Sequence, residues 1–497
     1  MSQRSNKSII VLVVAAAIAA SAWLLAFAAG HVEIGVPGEW VWKPHDIVAA
    51  IDVAIPIAVT VLLTIGYFAA VRRLSDSIDA RTSRVWFALP VLAASGFLIL
   101  WAVQSCAPSP HRQMKPMWVL YHWGSSGYYD EARGLDSLDA YLTGFEDELN
   151  KGDVLHKGTH PPGLVLANYG LLSLCRENPG LSNVVLATIP SSVAETFLDE
   201  VPQLERPDQS GDLAALWLSV LLTQLAAALT VVPLYGLLRR RLDSPTSFFV
   251  ASLWPFVPGV AIFLPKSDTI YPVLAATFLL LSLNAWDRGS LWRALLAGMV
   301  FWIGMMLSLA MIPIAVLAAI HALVRIRSNR PRPAGMTFAI CGTLAGFAIA
   351  TSAFYVVTDI PLWRTWVLNY HNHAGFYTQY KRTYGSWLLA NPLELVLTVG
   401  APLLTLAIAG LVRSLRSRDV QTFATPLAVF ATWLLLYLSG KNSGEAARLW
   451  ILLTPVFLWA AGHMMDDARA QKRWWWIAAW QALVAILSVA TVNGFAP

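Results

Sequence analysis

The chain has 497 residues, of which 57% are hydrophobic and 13% are charged. Because a soluble domain is about half apolar and about a quarter charged, this composition excludes a soluble protein and indicates a polytopic membrane protein. The formal net charge of +5 is explained by loop cations that orient such a protein in the bilayer. We therefore predict no nucleic-acid partner.

Membrane spans recur along the whole chain. A helix needs about 20 mainly apolar residues to cross the hydrocarbon core, and the sequence offers about thirteen such stretches, within a range of about 11 to 14. They lie at 9–29, 51–71, 85–105, 212–238, 246–264, 269–286, 292–309, 310–325, 334–357, 392–412, 421–439, 449–465 and 474–492. The sequence therefore predicts an all-α polytopic protein.

Loop charge predicts the orientation of these spans. If the N-terminus lies in the cytoplasm, every predicted cytoplasmic segment carries Arg or Lys, as in the run Arg239-Arg240-Arg241. This bias follows the positive-inside rule, and it places the large segment 106–211 outside the cytoplasm. The run Ala26-Phe27-Ala28 resembles a signal-peptidase site. However, the apolar stretch 9–29 is longer than a signal h-region of about 7–15 residues, so we predict an uncleaved helix in a plasma (inner) membrane.

The large outer loop has its own helical pattern. Its polar part, 128–163, includes five apolar residues at three- and four-residue steps, which predicts an interfacial amphipathic helix over about 130–150. These residues are Leu135, Leu138, Leu142, Phe145 and Leu149. A Pro161-Pro162-Gly163 break follows, and the sequence then predicts a short helix at 164–174 and some helix around 191–200.

Two of the three cysteines, Cys106 and Cys175, lie on the predicted outer side. A disulfide can persist in that oxidising environment. One bridge that ties down the large loop and two free thiols near helix ends are both consistent with the sequence.

Several short polar motifs follow one another on the outer side. Asp130 and Glu131 are adjacent in the large loop, Arg133 follows two positions later, and the polar stretch ends in His160-Pro161-Pro162. Further on, Lys266-Ser267-Asp268 forms an outer turn, and Glu445 to Arg448 opens a late helix. In this order and on this side, the motifs resemble the GT-C superfamily of membrane glycosyltransferases.

The resemblance is greatest to bacterial lipid A aminoarabinose transferases and protein O-mannosyltransferases. It implies an enzyme that takes a sugar from a polyprenyl-phosphate donor and passes it to a glycan, lipid or protein acceptor outside the cytoplasm. It covers roughly residues 85–465. We therefore divide the chain into N-terminal helices (1–84), a third span with the catalytic loop (85–211), and a helical bundle (212–497). Two extra spans before the resembling core and a long 176–211 insertion depart from the family pattern.

Glycosyl transfer from a lipid phosphate needs a carboxylate that deprotonates the acceptor and cations at the departing phosphate. Asp130 fits the first role, with Glu131 as the fallback. Arg133 could orient the base or contact the phosphate. The resemblance implies that His160 approaches the donor phosphate and that other cations complete the site. The remaining candidates are Lys381, Arg382, Arg448, Lys266, Asp268 and Glu445.

Structural interpretations compete with these roles. An acidic pair at the start of a surface helix is favoured by the helix dipole, and Glu445 and Arg448 have the spacing of a local ion pair. His371 and His373 lack an evident third metal ligand, so we predict no metal and no cofactor beyond the lipid-linked sugar substrate. A transporter or a catalytically silent binder of lipid-linked sugar is the alternative. Transporters usually place ionisable groups at the bilayer midplane, whereas these residues cluster in outer loops.

Overall fold

The computed structural model describes residues 3–80, 84–201, 210–327, 333–416, 420–470 and 474–495. Within them the chain is almost entirely helical, with one small sheet. The helices are α1 (Gln3–Ala28), α2 (Ala50–Ala80), α3 (Val85–Gln104), α4 (His111–Tyr121), α5 (Tyr128–Arg133), α6 (Leu138–Asn150), α7 (Gly163–Glu177), α8 (Pro179–Leu186), α9 (Ser191–Glu200), α10 (Ser210–Leu229), α11 (Val231–Leu238), α12 (Ser244–Ala251), α13 (Pro258–Phe263), α14 (Tyr271–Arg288), α15 (Leu291–Leu307), α16 (Ile312–Arg327), α17 (Pro333–Thr358), α18 (Leu362–Gln379), α19 (Tyr384–Val399), α20 (Ala401–Leu415), α21 (Val420–Ser439), α22 (Ala446–Leu449), α23 (Thr454–Ala470) and α24 (Trp474–Thr491). The strands are β1 (Ile34–Val36), β2 (Trp40–Pro44) and β3 (Val492–Asn493).

Among the described residues, 8 helical segments are long and apolar enough to cross a membrane. The number rises to 10 if each of two bent helix pairs forms one span. Shorter apolar helices at Leu291–Leu307, Ala424–Ser439 and Trp475–Thr491 fall within three further predicted spans. The all-α polytopic prediction is confirmed, and the count of thirteen stays a prediction.

Two predicted spans are not single straight helices. The stretch 246–264 consists of α12, a 3₁₀ turn and α13, because Pro255 and Pro258 have no amide N–H to continue a helix. The stretch 392–412 begins inside α19 and ends inside α20, and these two helices meet at an angle of 106°. Gly400 lies at their junction with a φ of 87°, which favours glycine.

The large loop is helical, but its first amphipathic helix was predicted as one element and is two. α5 ends at Arg133, and α6 starts after Ser137, whose Oγ accepts a hydrogen bond from the amide of Ala140 at 3.1 Å. This cap satisfies a free amide at the start of α6. The helices predicted at 164–174 and around 191–200 are present as α7 and α9. Residues 202–209 of the predicted 176–211 insertion lie outside the described residues.

The N-terminal helices pack into the body of the protein. α1 lies against α20 and α24, and one hydrophobic cluster extends from Val13 to Val492. Between α1 and α2 the chain forms a hairpin of β1 and β2, and β3 adds to its edge through the Lys43–Asn493 pair. Cys106 and Cys175 are free, buried thiols. The proposed domain boundaries stay predictions.

Polar contacts gather at the two ends of the bundle. At one, the loop end, the segments around Glu39, Ser125, Lys266, Thr383 and Arg448 contact one another. At the other, the arginine end, Arg240 and Arg325 share Asp287, and Arg413 contacts His463. Segments that loop charge assigns to the same side therefore meet in space, and which end faces the cytoplasm stays a prediction.

Candidate functional site

Helix α5 presents its polar side chains on two faces. Residues three apart in a helix lie on the same side, so Tyr128 and Glu131 share one face, and Asp130 and Arg133 share the other. The second face carries an ion pair, with Asp130 Oδ1 3.0 Å from Arg133 Nη2. The Arg133 guanidinium also lies 5.8 Å from the centre of the Tyr121 ring. The carboxylate of Asp130 is therefore engaged locally.

On the other face, Tyr128 points into a buried polar cluster, while the charged groups near Glu131 are Lys157, Glu148 and Asp153. The Tyr128 ring lies 6.0 Å from that of His156 and 5.4 Å from that of His160. Burial first, and then the nearby Tyr271 and Asp268, raises the pKa of Tyr128 well above its usual value. Burial also raises the pKa of Glu131 because it penalises the charged carboxylate.

Lys266, which is buried, and Arg448, whose side chain is 14% exposed, approach the same cluster from distant parts of the chain. Lys266, 6% exposed, donates from Nζ to the carbonyl oxygen of Ser125. Arg448 pairs with Glu445, and its Nη1 lies 3.8 Å from Asp268 Oδ2. Burial, followed by the positive charge of Arg448, lowers the pKa of Lys266 to about 7. The four candidates Lys266, Asp268, Glu445 and Arg448 are therefore neighbours.

His160 lies beside these cations in its neutral form. Burial is the largest cause that lowers its pKa to about 3, and His373, Lys266 and Arg448 lower it further. Its Nδ1 lies 3.0 Å from the hydroxyl oxygen of Thr159. At neutral pH this ring exchanges hydrogen bonds and carries no positive charge. Contact with a phosphate would therefore be through a neutral donor.

Two amide side chains on α18 hold the loop that carries His160, and the sequence analysis missed both. Asn369 Nδ2 donates to the carbonyl oxygens of Gly158 and His160 at 2.8 and 3.2 Å. Asn372 Nδ2 donates to Leu149 and Gly158 at 2.9 and 3.0 Å. Asn369 and Asn372 are three residues apart, so they lie on one face of an aromatic helix, and this spacing was the signal in the sequence that could have identified them.

Lys381 and Arg382 lie at the rim of the loop end, beside Glu39 in the N-terminal hairpin. The Glu39 carboxylate accepts from the Thr383 amide at 3.0 and 2.8 Å. Arg382 Nη1 donates to the Glu39 carbonyl oxygen at 3.2 Å, while Lys381 is exposed. Within the described residues no hydrogen bond, ion pair or ring contact joins His160 to Lys381 or Arg382, so their convergence on one ligand stays a prediction.

Glu39 is a second residue that the sequence analysis missed. Its pKa is lowered, first by the hydrogen bond from the Thr383 hydroxyl, and it also accepts from Trp387 Nε1 at 2.8 Å. No part of this contact is local in sequence. It links a segment outside the resembling core to the rim of the site.

Metal ligands were a further question raised by the sequence. Among the residues that the structure describes, no group of three or more His, Cys, Asp or Glu side chains is placed to hold a metal ion. The prediction of a metal-independent reaction stays a prediction.

No protein-family model matches the chain, and no curated protein matches it. Among solved structures, the chain is similar to the oligosaccharyltransferase of Archaeoglobus fulgidus, solved with Zn and sulfate, at 13% identity and a TM-score of 0.47. The match covers 81% of this chain and 54% of that one, so the chain spans about half the length of that protein. At this identity and TM-score it carries no argument about the reaction, so the function proposed below rests on the residues of the loop end.

Proposed function

We propose that the chain is a metal-independent glycosyltransferase of the GT-C type, which moves a sugar from a polyprenyl-phosphate donor to an acceptor at the loop end. The observation that carries the proposal is the meeting of buried Lys266 and largely buried Arg448 beside neutral His160, whose ring contacts Tyr128 on the helix face that Glu131 shares. Cations are needed where the departing phosphate gains charge, and a carboxylate is needed at the acceptor.

The donor phosphate would lie against Lys266 and Arg448. A close cation stabilises an anion more strongly in a buried site than in water. A phosphate would favour the charged form of Lys266, whose pKa of about 7 reflects its burial. Arg448 has a buried Nε without a hydrogen-bond partner among the described residues. This site can therefore accept an anion without losing the pairs of Arg448 with Asp268 and Glu445.

For the general base we propose Glu131 ahead of Asp130, which the sequence analysis had ranked first. A base works best when its pKa lies near the operating pH, and burial raises the pKa of Glu131. Glu131 also shares its helix face with Tyr128, which contacts His160. Asp130 instead pairs with Arg133, and these two residues would shape the entrance to the site.

The proposed reaction is a single substitution at the anomeric carbon of the sugar. The carboxylate of Glu131 takes the proton from the acceptor hydroxyl or amine, whose heteroatom bonds to the anomeric carbon of the sugar. The bond from that carbon to the phosphate oxygen breaks, and the polyprenyl phosphate leaves with the electron pair. Lys266, Arg448 and the neutral His160 ring stabilise the charge that appears on the leaving phosphate.

The test is sugar transfer by purified protein given radiolabelled polyprenyl-phosphate sugars, compared between Glu131→Gln and Asp130→Asn. We expect Glu131→Gln to lower the transfer rate by about two to four orders of magnitude, the usual range for a lost general base. Asp130→Asn should cost far less. Asp147→Asn is the matched control, since Asp147 is an exposed carboxylate on α6.

The other outcomes are equally informative. Loss of activity only in Asp130→Asn would return the base to Asp130, and normal activity in both variants would contradict the proposed reaction. Donor binding without any transfer would indicate a catalytically silent binder. Thermal stabilisation by a small soluble solute, with none by any polyprenyl phosphate, would favour the transporter.

A further inference from the structure

The arginine end contains a cavity that the proposed reaction does not use. It has a volume of about 460 Å³, and its lining includes five arginines and one carboxylate. These residues are Arg239, Arg240, Arg241, Arg288, Arg325 and Asp287. Like charges gathered around one space raise its electrostatic potential. The cavity is thus strongly positive.

Asp287, the carboxylate of the described lining, bridges two of these arginines. Asp287 Oδ2 accepts from Arg240 Nη2 at 2.5 Å, and its Oδ1 accepts from Arg325 Nη2 at 2.7 Å. Arg240 also donates from Nη1 to Asn284 Oδ1 at 2.9 Å. One negative charge is therefore shared by two guanidinium groups, and these contacts also fix where the guanidiniums lie.

A role in orienting the protein in the membrane does not explain why these arginines are buried. The positive-inside rule needs cations in a cytoplasmic turn, where they can stay in water. Here the side chains of Arg240 and Arg325 are only 19% and 15% exposed, and burying a charge is costly unless it is paired. Burial is the largest cause that lowers the pKa of Arg240; Arg325 and Arg288 lower it further, while Asp287 raises it. An anion in the cavity would relieve this repulsion.

The wall of the cavity offers a further polar group. His321 is 6% exposed, and its ring stacks on Trp459 with centroids 6.2 Å apart. Its Nε2 lies 3.4 Å from Thr425 Oγ1. Its Nδ1 is buried and has no hydrogen-bond partner among the described residues. Both Thr425 and Trp459 also line the cavity.

We propose that this cavity binds a ligand through a phosphate group that carries two or more negative charges. Guanidinium groups match phosphate oxygens in geometry as well as charge, and they are the preferred partners of phosphates in proteins. A volume of about 460 Å³ lies within the range of small-ligand sites. The phosphate could belong to a lipid headgroup or to a soluble molecule, and both present the same chemistry to the arginines.

The test uses the full-length protein in neutral detergent, titrated with inorganic pyrophosphate at constant ionic strength and followed by thermal unfolding. Arg288→Gln removes a lining charge from an exposed side chain, so the variant should fold normally. Arg73→Gln is the matched control, because Arg73 is exposed and is not among the lining residues. We expect Arg288→Gln to weaken pyrophosphate binding roughly tenfold, as for one lost charged hydrogen bond, and Arg73→Gln to change nothing.

A second arm identifies the source of the phosphate. The same proteins are placed in nanodiscs of phosphatidylcholine with or without phosphatidic acid, whose headgroup is a phosphate monoester. Stabilisation by phosphatidic acid that Arg288→Gln alone reduces would support a lipid headgroup, and stabilisation by pyrophosphate alone would support a soluble ligand. Stabilisation by neither probe, or equal losses in Arg288→Gln and Arg73→Gln, would overturn the proposal.

Discussion

The two ends of the bundle use buried cations in different ways. At the loop end, Arg448 has two carboxylate partners, Glu445 and Asp268, and Lys266 donates to a carbonyl oxygen. At the arginine end, Arg240 and Arg325 divide one carboxylate, Asp287, between them. A balanced network is stable before any ligand arrives, and it holds its groups in position. At the arginine end, five arginines line one cavity, and an anion bound there would reduce the repulsion among them.

The comparison also separates the roles that we propose for the two ends. Catalysis by charge stabilisation requires groups that are already in place when charge develops, because moving them during the reaction costs free energy. The paired residues of the loop end meet that requirement. The proposed role of the arginine end needs only affinity for an anion, which the five arginines that line its cavity would provide.

Accessibility gives the largest expected difference between the two ends. In a variant with its native cysteines replaced, Thr143→Cys on α6 should react with a membrane-impermeant maleimide in intact cells, while Arg416→Cys should not. Both positions are exposed in the structure, so the bilayer alone distinguishes them. Mass spectrometry of the purified protein measures the labelling. Labelling of Arg416→Cys with protection of Thr143→Cys would invert the predicted orientation and move the proposed site to the cytoplasm.

Stability should respond unequally to the loss of one arginine at each end. Arg448→Met leaves Asp268 and Glu445 without their cation, and breaking a buried pair in this way typically costs about 3 to 5 kcal/mol. Arg325→Met should cost less, because its partner Asp287 is 37% exposed and keeps Arg240. Denaturant unfolding in detergent measures both free energies. Equal losses of unfolding free energy in the two variants would contradict the proposed difference between the two networks.

A smaller effect concerns pH. Lys266, with a pKa near 7, is charged below that pH and neutral above it. Binding of a polyprenyl phosphodiester, whose own charge does not change in this range, should therefore weaken as pH rises from 7 to 9, by at most about tenfold per pH unit. Lys266→Arg should remove this dependence, since arginine stays protonated. Fluorescence titration at each pH measures the affinity, and an unchanged slope in Lys266→Arg would exclude Lys266 as its source.

Local sequence signals were sufficient for the membrane class and for most helices, because apolar length and loop charge act over a few turns. They were also present where a predicted span is broken in the structure. Pro255, Pro258 and Gly400 interrupt their helices in the structure, yet a window as long as a span averages over single residues. Ser137 caps the start of α6 and so separates it from α5. The predicted helix was based on the spacing of apolar residues, which takes no account of a capping serine.

By itself the sequence determined that the chain is a polytopic helical protein whose short polar motifs lie in the segments between its apolar stretches. Only the tertiary structure decided which motifs meet. The contacts of Lys266 with Ser125, of Arg448 with Asp268 and of Asn369 with Gly158 join segments far apart in the chain. Each depends on how the helices pack, and that packing is the joint result of many weak apolar contacts rather than of any local pattern.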